Sequence, residues 1–166
     1  MTDQIQRQIP HDNQESVWDY PRPPRVEPTS KHLHVVFNGE TIAQTSRAIR
    51  VLETSHPPVY YIPAADIRME YLSSTSRTTF CEFKGVASYW TIRLNGRASE
   101  NFAWSYRQPA AGYEAIKNHL AFYPSKVDAC YVNDELAEAQ EGDFYGGWIT
   151  KDIVGPFKGG AGTFGW

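Results

Sequence analysis

Regular alternation of apolar and polar positions begins at residue 33, where Leu33, Val35 and Phe37 interleave with His32, His34 and Val36 up to Asn38-Gly39. An Asn-Gly pair tolerates the positive φ values of a type I′ turn, so the pattern predicts a hairpin whose second strand covers 40–45. Asn95-Gly96 repeats the signal between residues 88–94 and 97–106. On the first of these strands Trp90, Ile92 and Leu94 should share a face, and on the second Phe102, Trp104 and Tyr106 should. Aromatic and β-branched runs bounded by turn formers predict further strands at 59–62, 67–72, 78–83 and 127–132. The sum is about seven or eight mainly antiparallel strands. Helical spacing is confined to residues 110–122, where Tyr113, Ile116 and Leu120 recur before Pro124 stops the run, with a shorter turn expected around 46–52.

The two ends read differently. Residues 1–30 carry Pro10, Pro21, Pro23, Pro24 and Pro28, which remove backbone donors and predict an extended arm. Within it Trp18 and Tyr20 are large enough to strap the arm onto a domain surface. Residues 155–166 hold five glycines among Phe157, Phe164 and Trp166, a composition that forms neither helix nor regular strand and docks through its aromatics. The predicted organisation is a proline-rich arm at 1–30, a β core at 31–135 and a Gly/aromatic extension at 136–166 packed on that core.

A chain of 166 residues fits one domain with a single core. With 16 basic and 19 acidic side chains the formal charge is −3, which supplies no pull towards nucleic acid or an anionic membrane. The N-terminal residues 1–8 are polar, without the apolar core of a signal peptide, and no run approaches the ~18 apolar residues of a membrane span. A soluble cytoplasmic protein without membrane or nucleic-acid partners is expected. Cys81 and Cys130 form no C-x-x-C pair, so neither a zinc knuckle nor a disulfide scaffold is expected, and no metal or cofactor is assigned.

The densest chemistry lies in 79–90, where Cys81 has Arg77 before it and Lys84 after it. Nearby cations lower a thiol pKa and make a nucleophile; the competing account is a small buried hydrophobe. On an extended strand Cys81 and Phe83 face one way and Glu82 and Lys84 the other, which separates Cys81 from Lys84 unless the strand bends before Gly85. Arg47 and Glu53 flank an apolar set and either hold a polar ligand or form a structural ion pair. His56 and His119 are general-base candidates or ordinary packing residues. His32 and His34 project from one strand face without an identifiable third metal ligand. Tyr61, Tyr89, Trp104 and Tyr106 offer faces for a planar ligand, or simply pack the sheet.

Several blocks occur together in order: Arg47, Leu52-Glu53, His56-Pro57-Pro58, Tyr60-Tyr61-Ile62-Pro63, Cys81-Glu82-Phe83-Lys84-Gly85, Ala87-Ser88-Tyr89-Trp90, Trp104-Ser105-Tyr106 and Ala121-Phe122-Tyr123. In these the chain resembles the DUF427 family of uncharacterised bacterial proteins. The resemblance implies a compact β-rich fold grouped with the Mss4-like tent-shaped sheets, and no known activity. Zinc-binding relatives of that architecture use cysteine pairs absent from this chain. The fold expected is therefore mainly β: a single compact domain of antiparallel strands with one short helix and extended terminal segments.

Three functional classes follow. The first is a small-ligand-binding β domain with enzymatic potential, its catalytic residues Cys81, Lys84 and Glu53 and its ligand-binding residues Arg47, Tyr61, Tyr89, Trp104 and Tyr106. The second is a protein-interaction adaptor using the proline arm, the aromatic tail or a sheet edge. The third, single-stranded RNA binding through aromatics and arginines, is opposed by the acidic balance.

Overall fold

The computed structural model of the chain describes residues 5–142 and 144–166; the N-terminal residues 1–4, part of the polar segment read as lacking a signal peptide, and residue 143 lie outside them. In chain order the strands are β1 (Glu15–Ser16), β2 (Arg25–Thr29), β3 (Leu33–Phe37), β4 (Glu40–Thr45) and β5 (Ala48–Leu52). They continue with β6 (Val59–Pro63), β7 (Leu72–Cys81), β8 (Gly85–Leu94), β9 (Arg97–Ser105) and β10 (His119–Phe122). The last are β11 (Ala129–Val132), β12 (Glu135–Leu136), β13 (Glu138–Ala139), β14 (Trp148–Ile149) and β15 (Ile153–Val154). Seven form one antiparallel sheet in the order β2-β5-β6-β10-β9-β8-β7, and four form a second in the order β12-β11-β3-β4. The two Asn-Gly pairs turn as their sequence dictates, with φ of 49° and 79° at Asn38-Gly39 and 50° and 81° at Asn95-Gly96.

Pleating assigns the faces of the large sheet. Tyr60 and Ile62 of β6, Ile92 and Leu94 of β8 and Leu120 and Phe122 of β10 point into a core shared with Leu33, Val35 and Phe37 of the four-stranded sheet. The intervening residues Tyr61, Tyr89 and Ala121 point the other way, into a second cluster with Trp104 and Tyr106. The large sheet thus has one face covered by a second sheet and another that is strongly aromatic. Trp148, fully buried in the main core, donates from Nε1 to the Phe122 carbonyl at 3.0 Å.

The structure differs from the sequence pattern in five places. No α-helix forms among the described residues: Glu114–Ile116 is a single 3-10 turn and His119–Phe122 is a strand pairing with both β6 and β9. Asn118, at φ 59°, ends the helical run, and Leu120, Ala121 and Phe122 are buried on both faces of the sheet, as a central strand requires. Phe102 does not share a face with Trp104, because the pairing of β8 and β9 shifts register near Trp90 and Asn101 takes φ 50°. Residues 69–71 turn as a 3-10 element instead of continuing a strand from 67, and residues 48–52 are strand β5, not a turn. Residues 25–29, read as part of the arm, are the edge strand β2.

The remaining ends dock on the domain and on each other. β1 pairs in parallel with β15, and Val17 and Tyr20 pack with Leu52 and Ile153. The Trp18 ring lies 5.4 Å from that of Trp166, with the Arg7 guanidinium 5.0 Å over Trp18. Arg50, buried under this arm, binds Glu15 at 2.7 Å and Glu27 at 2.9 Å, joining β1, β2 and β5. No helix among the described residues is long and apolar enough to cross a membrane.

Two predictions follow from this packing. Trp148→Ala should lower stability by about 3–5 kcal/mol, read as a shifted urea midpoint, while Leu136→Ser on the surface should change it by less than about 0.5 kcal/mol. The Arg50 hydrogen bond, opposed by burial, holds the Glu15 carboxyl below its usual value. Its contribution is therefore complete above the ordinary carboxylate pKa and is lost as pH falls through the lower folded-state value. Urea midpoints should fall between pH 5 and 3, roughly, and Arg50→Met should flatten that dependence while costing about 2–4 kcal/mol at neutral pH.

Candidate functional site

The aromatic face of the large sheet is not filled: it holds a cavity of about 360 Å³. Its floor is built by residues that alternate outward from β6, β8 and β9. Trp104 Nε1 donates to the Tyr61 hydroxyl at 3.3 Å, and the Trp104 ring packs 4.6 Å from that of Tyr123. Tyr106 lies 6.3 Å, centre to centre, from Tyr61, and the Tyr89 hydroxyl pairs with Thr79 Oγ1 at 3.0 Å. The Trp104 ring fits because residue 146 is glycine; a Cβ there would run into Trp104 and crowd Tyr123.

One wall is the tip of the β7–β8 hairpin. β7 ends at Cys81, which pairs with Gly85 at the start of β8 and leaves a three-residue loop. Such a loop needs a left-handed residue, and Gly85 supplies it at φ 106°. The strand therefore stops before the opposed facing of Cys81 and Lys84 can separate them. The Ala110 N–H donates to the Lys84 carbonyl at 2.9 Å and fixes the loop, and both Cys81 and Lys84 line the cavity. The Lys84 Nζ lies 5.9 Å from the centre of the Tyr106 ring.

The polar groups form a connected set. Burial works to lower the Lys84 pKa, but the neighbouring Tyr61, Cys81 and Glu53 outweigh it, leaving the ammonium raised above its usual value. Among the described residues Lys84 forms no salt bridge. Burial works to raise Glu53, but the His56 hydrogen bond and the charges of His56, Lys84 and Arg22 leave it lowered and therefore ionised at neutral pH. Glu53 Oε2 lies 3.2 Å from Arg22 and 3.5 Å from His56 Nε2.

Gln140 sets the histidine tautomer. Its Oε1 accepts from the Gly147 N–H at 3.1 Å, so its amide nitrogen faces the Lys158 carbonyl at 2.7 Å and His56 Nδ1 at 3.1 Å. Nδ1 is then the acceptor and Nε2–H faces Glu53.

Seven of the eight residues singled out from sequence therefore line one cavity: Glu53, Tyr61, Cys81, Lys84, Tyr89, Trp104 and Tyr106. Arg47 does not. It is 66% exposed and holds Asp66 through two hydrogen bonds of 2.9 Å, which carry the Asp66 carboxyl down to about 2. His32 bonds Ser46 and Gln44, and His34 bonds Thr41 and stacks on Tyr131. The sequence reading missed Arg22, Tyr145, Lys158 and Trp166, which reach the cavity from the two flanks. No local spacing marks them, because their proximity depends on the docking of both ends.

A family model described as a domain of unknown function (DUF427) matches residues 25–133, about two thirds of the chain. No curated protein matches it.

The glycine at 146 gives a direct check on the wall. Gly146→Ala should displace the Trp104 ring, change the near-UV circular dichroism and cost about 1–3 kcal/mol. Gly165→Ala, where nothing lies within 4 Å, should leave both unchanged.

Proposed function

The chain belongs to the DUF427 family, and from that premise we propose that it binds a small planar ligand bearing one anionic group in the aromatic cavity. The observation that carries this reading is the convergence of Tyr61 of β6, Tyr89 of β8, Trp104 of β9 and Tyr106 just beyond it with an ammonium that has no salt-bridge partner among the described residues. Tyr61, Tyr89, Trp104 and Tyr106 supply faces and edges for a ring. Lys84 supplies one positive charge inside the aromatic set, which selects an anion and repels a cationic ligand. A cavity of about 360 Å³ lies at the small end of the range for ligand sites, suited to one or two rings.

A monoanionic carboxylate fits this charge better than a phosphate dianion, because Arg22 is engaged with Glu53 and with the Thr54 carbonyl, and Lys158 donates to the Trp166 carbonyl at 3.4 Å. Glu53, ionised and held by Arg22 and His56, makes no salt bridge to Lys84 and leaves that ammonium available to a ligand. Arg47, committed to Asp66 at the surface, has no part in the site.

An interaction surface is the second reading, and one observation favours it. Phe80 and Val86 face each other across the β7–β8 ladder at the open edge of the large sheet, 72% and 52% exposed. The strap and tail give it less support, since Trp18 and Trp166 pack on one another.

Fragment titration followed through the indole N–H resonances separates the two. Benzoate and indole-3-carboxylate should shift the Trp104 resonance, with uncharged benzamide binding about 10-fold or more weakly, and Lys84→Met should erase that difference. Fragments that leave Trp104 unmoved would overturn the cavity reading.

A further inference from the structure

We infer that the cavity is an acyl-transfer site in which Cys81 Sγ attacks the carbonyl carbon of a planar aromatic ester or thioester. Lys84 Nζ and the hydroxyls of Tyr61 and Tyr106 are the donors to the resulting oxyanion. This inference rests on the binding reading above and assigns it a substrate class, an aromatic acyl group.

Two phenol hydroxyls of the cavity, those of Tyr61 and Tyr106, donate to no acceptor among the described residues. Tyr106 is only 4% exposed and lines the cavity, yet its hydroxyl has no hydrogen-bond partner among the described residues. The Tyr61 hydroxyl accepts from Trp104 and so retains its own proton to donate. Burial, first among the causes, pushes both phenols above their usual pKa, so both remain neutral O–H donors at physiological pH. Together with the Lys84 ammonium they make three donors in one cavity and, among them, no carboxylate partner. Such a set is matched to negative charge that develops on a carbonyl oxygen during reaction.

The nucleophile lines the same cavity as these donors. Cys81 is partly exposed at the hairpin tip, packs against the same aromatic cluster and lines the cavity together with Lys84. The protein's other thiol, Cys130, is buried in the main core, and burial pushes its pKa far up. The raised pKa of Lys84 keeps it an ammonium, which suits a charge stabiliser and not an amine nucleophile. The ionised Glu53 is a poor acceptor for a thiol proton and is engaged by Arg22 and His56, so it takes no direct part in the step.

The chemistry balances without an added oxidant or reductant. The Cys81 sulfur forms a bond to the acyl carbon, the bond from that carbon to the leaving oxygen or sulfur breaks, and the thiol proton ends on the departing alcohol or thiol. Water then attacks the acyl-cysteine, releasing the aromatic acid and restoring the thiol. The acid product is the planar monoanion that the binding reading calls for.

The test uses 4-nitrophenyl benzoate as substrate and benzoate as inert ligand, with the full chain. Release of 4-nitrophenolate should show a burst of about one equivalent per chain, with a single benzoyl group on the peptide containing Cys81 and none on Cys130. Cys81→Ala should abolish the burst, and Tyr106→Phe should slow acylation by about 100-fold. Circular dichroism of each variant checks folding, and Lys84→Arg, which keeps the charge, should retain more activity than Lys84→Met. If benzoate shifts Trp104 but no benzoyl group appears on Cys81, the nucleophile assignment is wrong and the binding reading stands. If benzoate fails to bind and Cys81 is not acylated, both fall.

Discussion

Everything in this protein depends on the division of side chains between the two faces of one seven-stranded antiparallel sheet. Only one of its faces meets a second sheet, and there Leu33, Val35, Phe37, Ile92, Leu120 and Phe122 make an ordinary apolar core. The other face is built of Tyr61, Tyr89, Trp104 and Tyr106, whose rings carry polar tips and large edges that do not interdigitate like aliphatic side chains. An aromatic face without a sheet to cover it leaves space, and the space is the cavity.

Chemistry enters that space through a tight turn. Had β7 continued past Cys81, the pleat would have thrown Lys84 to the far face; the three-residue loop closed by Gly85 ends the alternation one step after the cysteine. Sulfur, ammonium and phenols are thus gathered by the backbone of a single hairpin tip set against the strands beside it. The second polar element, Glu53 with His56, follows β5, and its orientation is fixed from Gln140 near the C-terminal end.

The flanks complete the site instead of decorating it. Arg22 holds Glu53, Gly146 makes room for Trp104, and the Tyr123 hydroxyl donates to the Phe144 carbonyl at 2.9 Å. All three flank positions lie outside the residues that match the family model, 25–133, so the matched residues supply Cys81, Lys84 and most of the aromatic lining of the cavity, and the flanks supply further walls and the ion pair with Glu53. Arg50, joining Glu15 and Glu27, anchors the N-terminal flank to the edge of the same sheet.

What the sequence determined by itself was local. Asn38-Gly39 and Asn95-Gly96 can take the positive φ of a tight turn, and period-two runs beside them can only be half-buried strands, so the β character was legible from a few residues. The aromatic and ionisable residues of the site were legible as types, because Cys, Lys and clustered Tyr and Trp are costly to expose or to bury without a reason. Tertiary structure decided the rest. Residues 119–122 carry a helical spacing, yet they are a strand because β6 and β9 pair with both edges of their backbone, a gain that no window of sequence contains. Arg47 and Glu53 look alike as charged neighbours in the chain, but Asp66 takes the first to the surface and Arg22 and His56 take the second to the cavity. Partner choice of that kind is set by distances across the folded sheet, to which sequence spacing is blind.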